Sequence, residues 1–207
     1  MSHAQAEETL FKGAPAIFLR APDGATATVL LHGAHVVSWV PARGVEQLYL
    51  SEMSAIGQPG KAVRGGVPVI FPQFSDRGTL PKHGFARTQC WEKTAARVGE
   101  DYAMASLSLR DNEATRALWP HAFEVELSVS VTSHRLDLEL EVSNRGEAPF
   151  SFTTALHTYL RVKEVEEARL EGLNGYRYTD CTKGGAQKTD TGVFLAIEGE
   201  TDRVYHN

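Results

Sequence analysis

Between residues 123 and 142, hydrophobic and polar positions alternate with a period of two. In AFEVELSVSV, Phe123, Val125, Leu127, Val129 and Val131 oppose Glu124, Glu126, Ser128 and Ser130. That is the pattern of a strand with one buried and one wet face. RLDLELEVS continues it, with Leu136, Leu138, Leu140 and Val142 against Asp137, Glu139, Glu141 and Ser143. The link Thr132-Ser133-His134-Arg135 is short and polar, so an antiparallel hairpin is predicted. YAMASLSL adds a strand with Ala103, Ala105, Leu107 and Leu109 on one side. ATATVLL, HVVSWV, QLYLS, TQCWEKTAARV and GVFLAIEG read as further strands. Helical signal is confined to DNEATRALW, residues 111–119, with Asp111 or Asn112 as N-cap and Pro120 as stop. Turn residues such as Pro22-Asp23-Gly24 and Asn144-Arg145-Gly146 separate the strands. Many short antiparallel strands with few helices predict an all-β sandwich or barrel. No repeat or linker divides it, so one domain over residues 1–207 is expected.

Composition narrows the function. Apolar residues make up 42% of 207, enough for a packed core and too many for a disordered chain. The net charge of −5 argues against a nucleic-acid or anionic-membrane partner. MSHAQAEETLFKGAPA lacks the pattern of a signal peptide, and no apolar run approaches the roughly 20 residues of a membrane helix. Cys90 and Cys181 form no CxxC pair and no disulfide framework. Two reduced structural thiols in a cytoplasmic protein are expected. Charge is unevenly spread, however. Residues 61–87 hold Lys61, Arg64, Arg77, Lys82 and Arg87 against one acid, Asp76. A small basic island in an acidic chain suits a small anion better than a polyanion.

That island lies in a long, glycine- and proline-rich loop, residues 54–87. Its interleaved Val67, Val69, Ile70, Phe71, Phe74, Leu80 and Phe85 need burial, so the loop is expected to be ordered and functional. Arg64-Gly65-Gly66 joins a guanidinium fork, which matches phosphate or carboxylate, to two residues free to adopt positive φ. Arg87 closes the same loop. His83 precedes Gly84, a setting that suits either a surface histidine or a ligand contact. If TTALHTYLRV is a strand, His157 shares a face with Ala155 and Tyr159. It reads as a core histidine first and as a general acid second. His32 and His35 are three apart, on opposite faces of a strand and without a third ligand, so no metal site is expected there. No phosphate-binding loop, dinucleotide fingerprint or nucleophile elbow is present.

LHGAHVVSW, VRGGVPVIFPQF, LPKHGFARTQCWE, FTTALHTYLRV and GETDRVY occur in that order. In this the chain resembles the glucose-6-phosphate 1-epimerases, the hexose-6-phosphate mutarotases of the aldose 1-epimerase superfamily, from about Leu31 to Tyr205. The resemblance implies a large antiparallel β-sandwich of the galactose mutarotase type, with no metal or organic cofactor. It implies that His157 is the acid at the ring oxygen and that His83 assists binding near it. It further implies that Arg64 and Arg87 hold the 6-phosphate and that Asp202 hydrogen-bonds sugar hydroxyls. Where the family usually has Gln before His-Gly-Phe-Ala-Arg, this chain has Lys82, an extra cation that either strengthens phosphate binding or is solvated. Family members continue for several strands past DRVY, and their catalytic glutamate lies there. None of the glutamates in these 207 residues matches it. The expectation is therefore weak or absent anomer exchange with sugar-phosphate binding partly retained. An unpaired edge strand is expected to favour self-association. A non-catalytic sugar-phosphate binding protein and a mutarotase of unphosphorylated aldoses stay open beside this reading.

Overall fold

The computed structural model describes residues 3–206. They fall into two compact units, one ending at Arg161 and one beginning at Val162.

In the first unit, β1 (Gln5–Phe11), β2 (Ala14–Arg20), β3 (Thr26–Leu30) and β4 (His35–Val40) form an antiparallel meander. The two-residue β5 (Val69–Ile70) follows within the long loop. A second meander comprises β6 (Glu92–Val98), β7 (Ala103–Arg110), β8 (Phe123–Thr132) and β9 (Arg135–Asn144). Ile17, Leu19 and Val29 from one sheet and Leu107, Phe123 and Leu127 from the other join one apolar cluster. This is the sandwich that the alternating pattern predicts. Truncating Leu127, which is fully buried, is expected to cost about 2–5 kcal/mol. The predicted hairpin is present, with Thr132 opposite Arg135 and Phe123 opposite Asn144.

The one α-helix among the described residues is α1 (Glu113–Leu118). Asn112 caps it: its Oδ1 accepts from the Thr115 N–H at 3.0 Å, and the Thr115 hydroxyl accepts from the Asn112 N–H at 2.8 Å. Such a reciprocal cap is typically worth about 1 kcal/mol. The long loop is ordered by its own apolar residues, as expected. Val67, Val69, Ile70, Phe71 and Phe85 are buried, and Phe71 packs edge-on against Phe85 and Trp119.

One expected strand and one conditional strand are corrected. QLYLS forms only isolated bridges, because Leu48 pairs with Leu160 while Leu50 pairs with Gly65. Changing partner within three residues interrupts any ladder. TTALHTYLRV keeps only β10 (Ala155–Leu156), paired with β5. Beyond it the backbone still follows the loop, since the His157 N–H donates to the Pro68 carbonyl and the Tyr159 N–H to the Gly66 carbonyl. Both cysteines are exposed rather than packed in the core.

The second unit pairs β11 (Arg169–Glu171) with β14 (Phe194–Ala196). It also sets β12 (Arg177–Asp180) between β13 (Ala186–Thr189) and β15 (Arg203–His206). Its buried Asp190 accepts from the Tyr205 hydroxyl at 2.7 Å and from Arg203 Nη1 at 3.0 Å. That network satisfies the carboxylate internally. Among the described residues, no helix is long and apolar enough to cross a membrane.

Candidate functional site

A cavity of about 400 Å³ opens in the first unit, lined by Lys61, Arg64, His83, Arg87, His157 and Tyr159 among others. Its size is within the usual range for a small-molecule site.

Arg64 stands on a turn that only glycine permits. Gly65 and Gly66 have φ of 105° and 60°. A Cβ at Gly65 would lie 2.3 Å from the Tyr49 carbonyl oxygen, and one at Gly66 would lie 2.1 Å from that of Val36. The Gly66 N–H donates to the Tyr49 carbonyl at 2.7 Å. Ser54 clamps Arg64 itself: its hydroxyl donates to the Arg64 carbonyl at 2.7 Å and accepts from the Arg64 N–H at 3.1 Å. The guanidinium is left exposed to the cavity.

Arg87 follows Phe85, in the short 3₁₀ turn Ala86–Thr88. Its Nη2 donates to the Lys82 carbonyl at 3.0 Å. Its buried Nε has no partner among the described residues. Burial lowers its pKa, Tyr159 opposes that, and the charge of Arg64 adds to the lowering. A guanidinium remains protonated regardless, so the cavity keeps two like charges that a bound anion would relieve. Lys61 lines the same cavity. Its place in the basic island of residues 61–87 is the sequence signal that marks it. Lys82 is exposed. Arg77 lies over the Phe74 ring at 5.3 Å and lines a different cavity.

The two histidines face each other, their ring centroids 4.8 Å apart and nearly perpendicular. Phe74 lies edge-on to both, at 5.9 Å from His83 and 5.8 Å from His157. His83 has φ of 69° and is pinned by Ser75. The Ser75 carbonyl accepts the His83 N–H at 2.8 Å, while the Ser75 N–H donates to His83 Nδ1 at 3.1 Å. A neutral ring that accepts at Nδ1 carries its proton on Nε2. Burial lowers the pKa of His83, helped by the charges of Arg87, His157 and Lys82 and opposed by Asp76. Burial and Arg87 lower that of His157. Both imidazoles are thus biased toward the neutral form.

Four of the five residues singled out from sequence therefore meet in one cavity: Arg64, His83, Arg87 and His157. Each ring is partly buried at the cavity wall, so His157 is not enclosed in the core and His83 is not fully exposed. Asp202 belongs to the second unit, where it is exposed and its carbonyl accepts from the Cys181 N–H at 2.8 Å. Phe74 and Tyr159 are additions that the sequence did not single out. Tyr159 follows from the face it shares with His157.

Comparison with known proteins bears on the family and the fold. A family model described as aldose 1-epimerase matches residues 15–207. A protein of Cenchrus ciliaris, provisionally named glucose-6-phosphate 1-epimerase, is 37% identical over 206 residues, covering 93% of this chain and 61% of its own. One of the same provisional name from Salmonella typhimurium is 35% identical over 183 residues, covering 87% of this chain and 60% of its own. The chain thus spans about three fifths of the length of these curated relatives. The crystal structure of YeaD from Salmonella typhimurium, described provisionally as a mutarotase, superposes with a TM-score of 0.86 at 31% identity. The match covers 97% of this chain and 66% of that one. The structure of HI1317, at 23% identity and a TM-score of 0.76, shares the fold. With that family model matching nearly the whole chain and these relatives more than 30% identical over most of it, the chain belongs to the aldose 1-epimerase family.

Proposed function

We propose that this protein is a hexose-6-phosphate mutarotase site, with Arg64 and Arg87 holding the phosphate and His157 transferring the proton at the ring oxygen. The observation that carries the reading is the presence of three cations, Lys61, Arg64 and Arg87, in one cavity with the paired histidines. A site for an unphosphorylated sugar has no use for three uncompensated positive charges. The relatives' names point the same way.

Anomer exchange opens the pyranose ring and recloses it on the other face of C1. A base removes the C1 hydroxyl proton as an acid protonates the ring oxygen, and the C1–O5 bond breaks to give an aldehyde. After rotation about C1–C2 the transfers run in reverse. His157 is the acid, and each such transfer typically contributes about 10²–10⁴-fold. Its pKa is lowered partly by Arg87. A phosphate dianion on Arg87 offsets that charge and makes the imidazolium easier to form. The His83 Nε2–H, oriented by Ser75, donates to a sugar oxygen.

No Asp or Glu is among the described residues that line the cavity. We accordingly infer sugar-phosphate binding that is partly retained, with weak or absent anomer exchange. The same observation favours the second reading, a sugar-phosphate binding protein without catalysis. Titration with glucose 6-phosphate and with glucose, followed by NMR exchange spectroscopy between the anomers, tests all of it. Preferential binding of the phosphorylated sugar with exchange well below the rates of longer relatives is expected. Equal binding of both sugars would refute the phosphate assignment.

A further inference from the structure

Residues 31–36, which the proposed chemistry leaves unused, touch both ends of the cationic loop. The His32 ring Nε2–H donates to the Lys61 carbonyl at 2.8 Å. The Gly33 N–H donates to the Gln89 carbonyl at 2.7 Å. Gly33 has φ of 76°, and a Cβ there would lie 2.7 Å from the Arg87 carbonyl oxygen. The Arg87 backbone can approach this closely only because residue 33 has no side chain. Val36 accepts from the Val67 N–H at 2.9 Å.

His35 is the polar centre of this segment. It is fully buried, and its Nε2 lies 2.7 Å from the Gly65 carbonyl oxygen. A carbonyl only accepts, so Nε2 carries the proton. Nδ1 has no partner among the described residues. An apolar side chain would fill this space without stranding a buried ring nitrogen, which is unfavourable. The imidazole is therefore poorly explained as core filling. What it supplies is one directed bond to the residue after Arg64.

We propose that His35 is a positioning residue for the anion site. Its Nε2–H, donated to the Gly65 carbonyl, fixes the Arg64-Gly65-Gly66 turn relative to Arg87, whose backbone is seated on Gly33 of the same segment. Arg64 and Arg87 thereby converge on one anion. This rests on the reading of the two arginines as a phosphate clamp.

The test compares the wild type with His35→Leu and His35→Gln, using glucose 6-phosphate and glucose as probes in NMR titrations. Near-ultraviolet circular dichroism checks the fold, and amide exchange at Gly66 reports the turn. His35→Leu is expected to weaken glucose 6-phosphate binding about tenfold or more, the loss of one directed bond. It should leave glucose binding unchanged and speed exchange at Gly66. His35→Gln, whose amide reaches the same carbonyl, is expected to restore the phosphorylated sugar to within roughly threefold of wild type. Should His35→Leu not fold, His35→Met, longer and more adaptable, takes its place. A folded apolar variant with wild-type preference, or a Gln variant as impaired as the apolar one, overturns the proposal alone. A wild type without preference for the phosphorylated sugar overturns the clamp and this proposal together.

Discussion

Lowering the pH from neutral toward 4 sets the buried His35 ring against its surroundings. Burial pushes its pKa from the ordinary 6.5 to about 4, opposed by the Gly65 carbonyl and reinforced by the positive charges of His32 and Arg87. The unfolded chain, with the ordinary value, takes up its proton first. The stability that the neutral buried ring contributes is therefore complete above pH 6.5. It falls progressively below that and is lost by about pH 4. The difference of about 2.5 units corresponds to about 3 kcal/mol, a large share of the 5–15 kcal/mol typical of a domain. Urea unfolding followed by tryptophan fluorescence at several pH values measures it. With a slope of about 1–3 kcal/mol per molar urea, the midpoint should drop by about 1–3 M across this window. His83 and His157 also sit below their ordinary values and push the same way. The decisive quantity is therefore the wild-type pH dependence minus that of His35→Gln, in which both remain. Identical pH dependence in the two proteins would refute the assignment of a neutral, buried, load-carrying ring at position 35.

Other outcomes follow from the same geometry. Arg64→Ala or Arg87→Ala should each weaken glucose 6-phosphate binding by about 1.5–3 kcal/mol, the value of a charged hydrogen bond, with calorimetry showing no change for free glucose. Gly66→Ala places a methyl group 2.1 Å from the Val36 carbonyl oxygen at a φ of 60°. It should destabilise the protein by more than about 1 kcal/mol in thermal melts and weaken phosphate binding through Arg64. His157→Asn should lower any measurable anomer exchange about 10²-fold or more while sparing glucose 6-phosphate affinity in the same NMR sample. β13 and β15 are the outer strands of their sheet, so size-exclusion chromatography over a concentration series should reveal self-association; a concentration-independent monomer would count against it.

How far the fold could be read from sequence depended on how unequal the two faces of each strand were. β8 buries every second residue, and its alternation is unmistakable. β6 is wet on nearly every residue and β1 buries none fully. Hydrophobic periodicity carries little information about such strands, which are held by backbone pairing to β2 and β7. The site divides in a similar way. Arg64, His83, Arg87 and His157 stood out because their chemical types cluster in recognisable strings. The link between His35 and Gly65 spans thirty residues. Sequence spacing suggested only a comparison of His35 with His32, and that comparison concerned metals. A directed hydrogen bond to a distant carbonyl leaves no local pattern.

The hydrogen bonds that tie residues 32–36 to the loop have a thermodynamic consequence for any ligand. A loop as long as residues 54–87 carries a large conformational entropy when free. Here much of that entropy is surrendered when the chain folds, because Lys61, Gly65 and Val67 are each bonded to a segment leading into, or lying within, β4. An incoming anion then meets charges whose backbone supports already stand in position. Its affinity reflects electrostatic fit with little loss to loop ordering. The same stiffness limits adaptation: an anion of the wrong span cannot draw the two arms together, and selectivity becomes a property of the spacing that the sheet imposes.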